Sequence, residues 1–277
     1  MAARVGISRL ETVVAAGIAA ILFALVVPAV QKLRAASDRT RCVNNLRALG
    51  SGVYSYHDVK RRVPPGGSQT SPSRAACRAA ECRNREWSWA YHLLPHLGYG
   101  EVHGNPNADV VLAADVPLFY CAARRRPRRC NNRTMLDYAA NAGTQELGSD
   151  GVIQRSTELP IAFGDISDGA SSTVLLAEKR LNTAEFGRAP GDFHGYATPG
   201  WTEAYEAHRL GLLPPAADID APGDLAAFSE FGSSHPGVVN ALFADGAVRT
   251  IRFNVSPAVW RRACVRNDNQ NLNLNEL

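Results

Sequence analysis

GISRLETVVAAGIAAILFALVVPAV, residues 6–30, sets the organisation of this chain. Residues 12–30 carry no formal charge and are rich in Ala, Val, Leu and Ile. An α-helix needs about 20 apolar residues to cross the hydrocarbon core of a bilayer, so the run predicts a transmembrane helix over 12–30. We therefore expect the rest of the chain to be tethered to a membrane.

Two simple interpretations of this opening leave something unexplained. A secretory signal peptide would be cut soon after its apolar core, but the chain continues from Val30 into Gln31-Lys32-Leu33-Arg34 without a clear cleavage site. A plain anchor helix does not account for Glu11. A carboxylate at the edge of lipid is costly and usually has a partner or a function.

The same residues resemble the prepilin-type processing site, Gly-Phe-x-x-x-Glu, of type IV pilins and type II secretion pseudopilins. The resemblance rests on Gly6, Ile7, Leu10 and Glu11 ahead of the apolar run, with Pro28 at the place of the family's helix-kinking proline. It implies that prepilin peptidase cleaves after Gly6 and that the new amine of Ile7 is methylated. It also implies that Glu11 pairs with the terminal amine of a neighbouring subunit, in a helix-to-helix assembly with other pseudopilins.

The helical pattern continues beyond the apolar run. Residues on one predicted stripe recur at steps of three and four: Cys42, Leu46, Leu49, Val53 and Tyr56. We predict one long helix over 7–60, half in lipid and half packed on a globular domain. Residues 1–6 are then the leader, and 61–277 form an extracytoplasmic α+β domain with a loop-rich insertion over 182–231 that Trp201 and Tyr205 anchor.

Composition favours a folded, loop-rich domain. The chain has 277 residues, 45% of them hydrophobic, with 23 Gly and 16 Pro. Its net charge of +4 does not by itself indicate a nucleic acid or acidic lipid partner. The arginine run over 124–129 has no interleaved aromatic residue for base stacking, so we predict a solvated loop and no nucleic acid partner.

The six cysteines predict disulfides in an exported domain. We expect local pairs, Cys77 with Cys82 and Cys121 with Cys130, although a link from Cys42 on the helix to the domain is a further option. A zinc site is the rival interpretation. The spacings within the two local pairs do not match the usual C-x2-C knuckle, so we predict no bound metal there.

The sequence gives conflicting signals about the side of the membrane on which the C-terminal domain lies. Lys32 and Arg34, just after the apolar run, place the C-terminal side in the cytoplasm by the positive-inside rule. The cysteine content and the prepilin resemblance place it outside. We follow the latter two and predict a single-pass protein of the inner (cytoplasmic) membrane with a periplasmic domain.

Several short patterns predict the sheet. The apolar runs 238–243 and 248–253 flank Asp245-Gly246, which is a strong β-hairpin signal because a tight turn needs residues that accept positive φ. Residues 174–178 read as a buried strand, 116–121 as a strand entry and 86–97 as a short helix. The predicted fold class is α+β, with a long N-terminal transmembrane helix packed on an antiparallel β-sheet.

Asp165 and Asp168 could supply hard oxygen ligands to calcium. They are weak calcium candidates, because no EF-hand spacing accompanies them.

A second resemblance covers most of the chain. His235, nine residues, then Asp245-Gly246 is similar to the H-x9-D-G signature that closes a large family of pilin-like proteins, abundant in planctomycete-type bacteria, with a solute-binding-like domain of unknown function. Further pieces of that family's pattern occur in order: Cys42-x-Asn44-Asn45-Leu46, Tyr56-His57-Asp58, Pro64-Pro65-Gly66, Phe119-x-Cys121, Tyr138-Ala139-x-Asn141-Ala142-Gly143-Thr144, Asp168-Gly169, Ser172-Thr173 and Glu178. Ala122-Ala123 stand where that family usually continues Cys-Pro-Ser-Asp.

His235 and Asp245 invite a general-base interpretation. No Gly-x-Ser-x-Gly elbow and no cofactor loop accompany them in the sequence, so we predict no enzyme activity and no cofactor. We expect His235 to hydrogen-bond a loop at the foot of the hairpin and Asp245 to shape its turn. Metal or ligand binding by this motif stays open as the alternative.

Together these patterns predict a structural pseudopilin or pilin-like subunit of a type II secretion or type IV pilus-like assembly. The alternative is a membrane-anchored extracellular module that never polymerises and binds a solute or glycan through the loops over 182–231.

Overall fold

The computed structural model describes residues 9–68, 83, 85–145, 149–201, 205–224, 229–270 and 272–277. Helix α1 runs without interruption from Arg9 to Lys60, with Pro28 inside it. At 1.5 Å per residue it is about 78 Å long, more than twice the thickness of a bilayer core. The predicted long helix is therefore confirmed. Gly6 and Ile7 lie outside the described residues.

Every described side chain of α1 from residue 10 to residue 37 is exposed. Its large apolar side chains are exposed around the whole circumference, for example Leu22, Phe23 and Leu25 at 56%, 70% and 67%. Within the described part of the chain, α1 is the one helix apolar and long enough to cross a membrane, with a mean hydropathy of 2.7 in its most apolar window. It is a candidate single-pass membrane anchor.

The C-terminal half of α1 packs against the domain through the predicted stripe. All five side chains of the stripe are buried: Cys42, Leu46, Leu49, Val53 and Tyr56. One helix thus presents an apolar surface on all sides at one end and a single apolar face at the other, which is the pattern of a helix that passes from lipid to a protein core.

The central sheet has five strands: β3 (Tyr138–Asn141), β4 (Val174–Glu178), β5 (His208–Arg209), β8 (Val238–Phe243) and β9 (Val248–Arg252). Their order across the sheet is β5-β3-β4-β8-β9. Strands β3, β4, β8 and β9 pair antiparallel, as predicted, whereas the short β5 runs parallel to β3. Two small pairs complete the strands: β1 (Arg129–Cys130) with β2 (Arg133–Thr134), and β6 (Ala216–Ala217) with β7 (Gly232–Ser233).

The two faces of this sheet bury separate cores, because successive strand residues point to opposite sides. On β8, Leu242 faces the core that contains the α1 stripe, whereas Ala241 and Phe243 face the second core. The second core is covered by the short C-terminal helix α5 (Pro257–Cys264), whose Trp260 is fully buried. The α+β prediction is confirmed, with α1 on one face and α5 on the other.

Three short helices follow α1 on its side of the sheet: α2 (Trp89–Leu93), α3 (Gly100–Gly104) and α4 (Ala108–Ala113). The helix predicted over 86–97 is shorter, since a 3-10 turn over Leu94–Leu97 replaces its end. The strand entry predicted over 116–121 is wrong. Pro117 opens a 3-10 turn over Pro117–Phe119 instead, because proline has no N–H to give to a ladder and its φ suits a helical first turn.

The predicted Asp-Gly hairpin is confirmed. Strands β8 and β9 pair in continuous register from Val238 opposite Arg252 to Leu242 opposite Val248. Gly246 takes a φ of 84° at the turn. The Asp245 carboxylate accepts a hydrogen bond of 2.9 Å from the Ala247 N–H, so Asp245 does shape the turn.

The described parts of the segment 182–231 are mainly loops, and they are packed onto the domain. Trp201 stacks on His208 with ring centroids 4.1 Å apart and an interplanar angle of 7°. Both side chains are buried. The Asn182 side chain holds a further loop by donating to the carbonyls of Ala221 and Asp224.

We predict that Leu49→Ala lowers the free energy of unfolding by about 2–5 kcal/mol, because it leaves a cavity between α1 and the sheet. Leu33→Ala, on the same helix at 71% exposure, is the matched control and should change it by less than about 0.5 kcal/mol. Denaturant unfolding of the full chain in detergent measures both. Equal losses would contradict the docking of α1 on the sheet.

We predict that acid weakens the domain through His208. Burial lowers the pKa of His208 from 6.5 to about 3, so between these values the unfolded chain binds one more proton than the folded one. Stability then rises with pH, is complete above 6.5 and is lost as the pH falls. His208→Gln should reduce the pH dependence of unfolding by about one proton between pH 4 and 6, measured by denaturation at several pH values. The difference at pH 8 gives the packing cost of the variant separately.

Candidate functional site

Four side chains that bind metals or react as nucleophiles meet between α1 and the sheet: Cys42, Cys121, Glu178 and His235. They come from four segments far apart in sequence, and each is at most 3% exposed. The ligand atoms of all four lie within 4.8 Å of one another. Among the described residues, this is the one group of three or more His, Cys, Asp or Glu side chains that could hold a metal ion.

The distances within the cluster are short. The Cys42 and Cys121 sulfurs are 2.9 Å apart. His235 Nε2 lies 2.9 Å from Glu178 Oε1 and 3.7 Å from Cys121 Sγ. The distance from Cys121 Sγ to Glu178 Oε1 is 3.4 Å. The four groups therefore converge on one point that is closed to solvent.

Local structure fixes the two cysteines. Cys42 belongs to the buried stripe of α1, so its side chain faces the sheet on which the helix docks. Cys121 follows the 3-10 turn over Pro117–Phe119, and its backbone N–H donates to the Asp137 carboxylate at 2.8 Å. That carboxylate also pairs with Arg124 and Arg125. The loop that carries Cys121 is thus held from two directions.

Backbone and amide groups orient the other two members. Glu178 ends strand β4, and its Oε2 accepts hydrogen bonds from the Asn240 backbone N–H at 2.8 Å and from the Asn240 side chain at 3.1 Å. His235 lies in the loop between β7 and β8, where its N–H donates to Ser233 Oγ at 3.0 Å. Glu178 Oε1 remains free to face His235 and Cys121.

The cluster is electrostatically polarised. The hydrogen bond from Cys121 lowers the pKa of Cys42 to about 6, against the opposing effect of burial. The pKa of Cys121 is raised well above 9, by its hydrogen bond to Cys42 and by burial. Burial disfavours a charged His235, but hydrogen bonds to Cys42 and Glu178 outweigh it and raise its pKa to about 9. One thiolate and one imidazolium are therefore favoured beside the Glu178 carboxylate.

The geometry around Cys121 does not match a nucleophilic triad. In a triad the histidine contacts the nucleophile through one ring nitrogen and the orienting acid through the other. Here the same nitrogen, Nε2 of His235, faces both Glu178 and Cys121. The burial of all four groups also leaves a substrate no access. What the arrangement can do chemically is bind a cation with two sulfurs, one nitrogen and one oxygen.

Part of the arginine run is not solvated, contrary to the prediction. Arg124 is buried, and its Nε lies 2.7 Å from the Asp218 carboxylate. Arg125 binds both Asp137 and Asp192. Asp192 and Asp218 lie far away in sequence, and together with Asp137 they supply the opposite charges that allow the two arginines to be buried. Residues 126–129 are exposed, as predicted.

The predicted Cys121–Cys130 disulfide is wrong. Both are free cysteines, and Cys121 lies beside Cys42, the option that links the helix to the domain. Cys130 lies at the end of β1, where Gly187 approaches it closely. The other predicted pair, Cys77 with Cys82, lies outside the described residues.

The structure separates the two members of the H-x9-D-G motif. Asp245 lies at the exposed turn in an ion pair with Arg249, whereas His235 lies in the buried cluster at the other end of β8. We expected His235 to hydrogen-bond a loop at the foot of the hairpin. Its ring also contacts Glu178 on the neighbouring strand and the cysteines of the cluster.

The calcium candidates are not brought together with a third ligand among the described residues. Asp165 accepts from the Ala162 N–H, and Asp168 from two backbone N–H groups in 268–269.

A family profile described as SBP_bac_10, protein of unknown function (DUF1559), matches residues 31–257. The chain belongs to the DUF1559 family. The match covers every member of the cluster and the whole sheet, and it begins after the predicted membrane span. No curated protein and no solved structure matches the chain.

Sequence reasoning did not bring the cluster together. Cys42, Cys121, Glu178 and His235 each occur in a motif of the pilin-like family pattern, yet cysteine spacing directed attention to local pairs. The signal that could have found the cluster is that four motifs, each distant from the next in sequence, all carry a side chain that can bind a metal. Glu11, the proposed assembly residue, lies in the first turn of α1.

We predict that Asp137→Asn destabilises the domain by about 3–5 kcal/mol, since it leaves two buried arginines short of a charge partner. Glu158→Gln, in an exposed ion pair with Arg155, is the control and should cost less than about 1 kcal/mol. Thermal and denaturant unfolding of the two variants test this. A small effect of Asp137→Asn would mean that the network contributes little.

Proposed function

We propose that this chain is a pilin-like structural subunit that assembles through its N-terminal helix in a type II secretion or type IV pilus-like machine. The observation that carries the proposal is the division of α1 into a half whose described apolar side chains are exposed and a half docked on the domain. An apolar helix surface of this extent needs lipid or other helices to cover it.

The dimensions support both environments. Residues 12–30 span about 28 Å of helix, which matches a bilayer core. Residues 31–41 add about 16 Å before the first buried side chain of α1, Cys42, and residues 122–127 of the domain lie beside this stretch. In the proposed assembled state, neighbouring helices replace lipid around the same residues, and the domain remains on the outside.

The proposed processing adds the step that makes assembly specific. Cleavage after Gly6 by prepilin peptidase and methylation of Ile7 would create an N-terminal amine close to lipid. Glu11 of a neighbouring subunit would pair with that amine, because a carboxylate in an apolar environment is stabilised by an opposite charge. We place the domain on the periplasmic side of the inner membrane, and we assign the subunit a structural role without enzymatic activity.

Two clefts lie outside the segment 182–231. One of about 130 Å³ is lined by residues of 62–65, 85 and 154–161, and one of about 640 Å³ lies between residues 30–41 of α1 and residues 122–127. Neither is lined by the loops of 182–231, to which the alternative of a monomeric ligand-binding module assigns recognition.

We predict that the mature protein from native membranes begins at Ile7 with a methylated amine, measured by mass spectrometry of its N-terminal peptide. Glu11→Ala should abolish cross-linked multimers while the protein stays in the membrane fraction, because the apolar helix is intact. Glu101→Ala, an exposed carboxylate of the domain, is the control and should leave multimers unchanged. A chain that retains Met1 or Ala2, or that stays monomeric, would favour the anchored binding module.

A further inference from the structure

The geometry points to a structural metal site: we propose that Cys42, Cys121, Glu178 and His235 together bind one zinc ion, or a similar borderline-soft divalent cation, that fastens helix α1 to the sheet. The proposal is independent of filament assembly. It applies equally to a pilin-like subunit and to a monomeric anchored domain.

The donor set is chemically selective. Thiolate ligands favour zinc over magnesium or calcium, and imidazole and carboxylate complete zinc sites in many proteins. Four protein ligands in a closed position are typical of structural zinc, whereas catalytic zinc keeps one position open for water. Here all four side chains are at most 3% exposed, so the site leaves no position to solvent.

Four of the six separations fit a tetrahedron after small rotations, and the other two, from Cys42 to Glu178 and to His235, are at most 4.8 Å. Zinc bonds of about 2.0 to 2.3 Å place the ligand atoms about 3.3 to 3.8 Å apart. The Cys121–Glu178 and Cys121–His235 separations of 3.4 and 3.7 Å already lie in that range. The two separations of 2.9 Å, Cys42–Cys121 and His235–Glu178, have to lengthen by less than about 1 Å.

The surroundings are those of a metal site. Two hydrogen bonds from Asn240 hold the Glu178 oxygen that faces away from the cluster, which leaves the other oxygen for the metal. Such partners orient ligands and raise affinity. Two thiolates, a carboxylate and Zn²⁺ carry a net charge of −1, and the buried Arg124 follows Cys121 by three residues.

The positions of the ligands give the site its role. Cys42 is on α1, Glu178 on the central strand β4, and Cys121 and His235 on loops beside them. A metal that joins all four closes chain loops of very different length at a single point. Its binding energy would then become folding energy of the domain.

The test is the metal content of the full chain, purified in detergent with thiols protected and measured by elemental mass spectrometry. We expect about one zinc per chain, falling to less than about a tenth of that in Cys121→Ala and in His235→Ala. Cys264→Ala and Cys130→Ala are the matched controls, because both cysteines are free and lie outside the cluster. They should keep the zinc. Asn240→Ala should weaken zinc affinity by roughly 10- to 100-fold.

A wild-type experiment covers the case in which ligand variants fail to fold. Zinc removed by a chelator is replaced with Co²⁺, which should produce the intense absorption of a tetrahedral cobalt–thiolate centre and restore a Tm lowered by the chelator. Absence of these bands, or no metal on the reduced chain, would overturn the proposal. So would a Cys42–Cys121 disulfide in protein isolated from its native membranes, since oxidised sulfurs do not serve as thiolate ligands.

Discussion

The docking of the α1 stripe on the central sheet is the contact on which the rest of the structure depends. It is formed by side chains one helical turn apart, such as Leu46, Leu49 and Val53, against Leu176 and Leu242. Without it the sheet would expose one face to water, and the cluster around Cys42 would lose a member. The same helix must satisfy a different environment a few turns earlier, where its described apolar side chains are exposed. Its amino acids therefore change from uniformly apolar to amphipathic along one unbroken element.

Buried charge is the second constraint on this domain. Arg124 and Arg125 are enclosed with Asp137, Asp192 and Asp218. Replacing such a network by apolar residues is often neutral for stability, whereas breaking it is costly. The network here positions a loop. Asp137 accepts a hydrogen bond from the backbone N–H of Cys121 and so connects the network directly to the cluster of Cys42, Cys121, Glu178 and His235. The arginines hold a loop in place, and the loop presents a sulfur.

The parts of the fold that sequence could predict are those with local causes. The helix over the charge-free run, the three- and four-residue steps of the stripe and the Asp245-Gly246 turn each depend on residues close in sequence, and each is confirmed as a structural element. The pairing of Cys121 failed because it depends on which distant segments meet. Cys42 and Cys121 are 79 residues apart, and Arg124 and Asp218 are 94 apart. Residue type and spacing carry no information on such encounters until the topology of the sheet is known.

The order of the partners along the chain has a consequence for biogenesis. Helix α1 is synthesised first, whereas the strand residue Leu242 that covers its stripe comes about 200 residues later. At 5–20 residues per second, the stripe waits about 10–40 s for that partner. During this interval the sheet does not yet cover the amphipathic half of α1 or the thiol of Cys42. A chaperone or the membrane surface itself must cover them, or the growing chain is exposed to aggregation and premature oxidation.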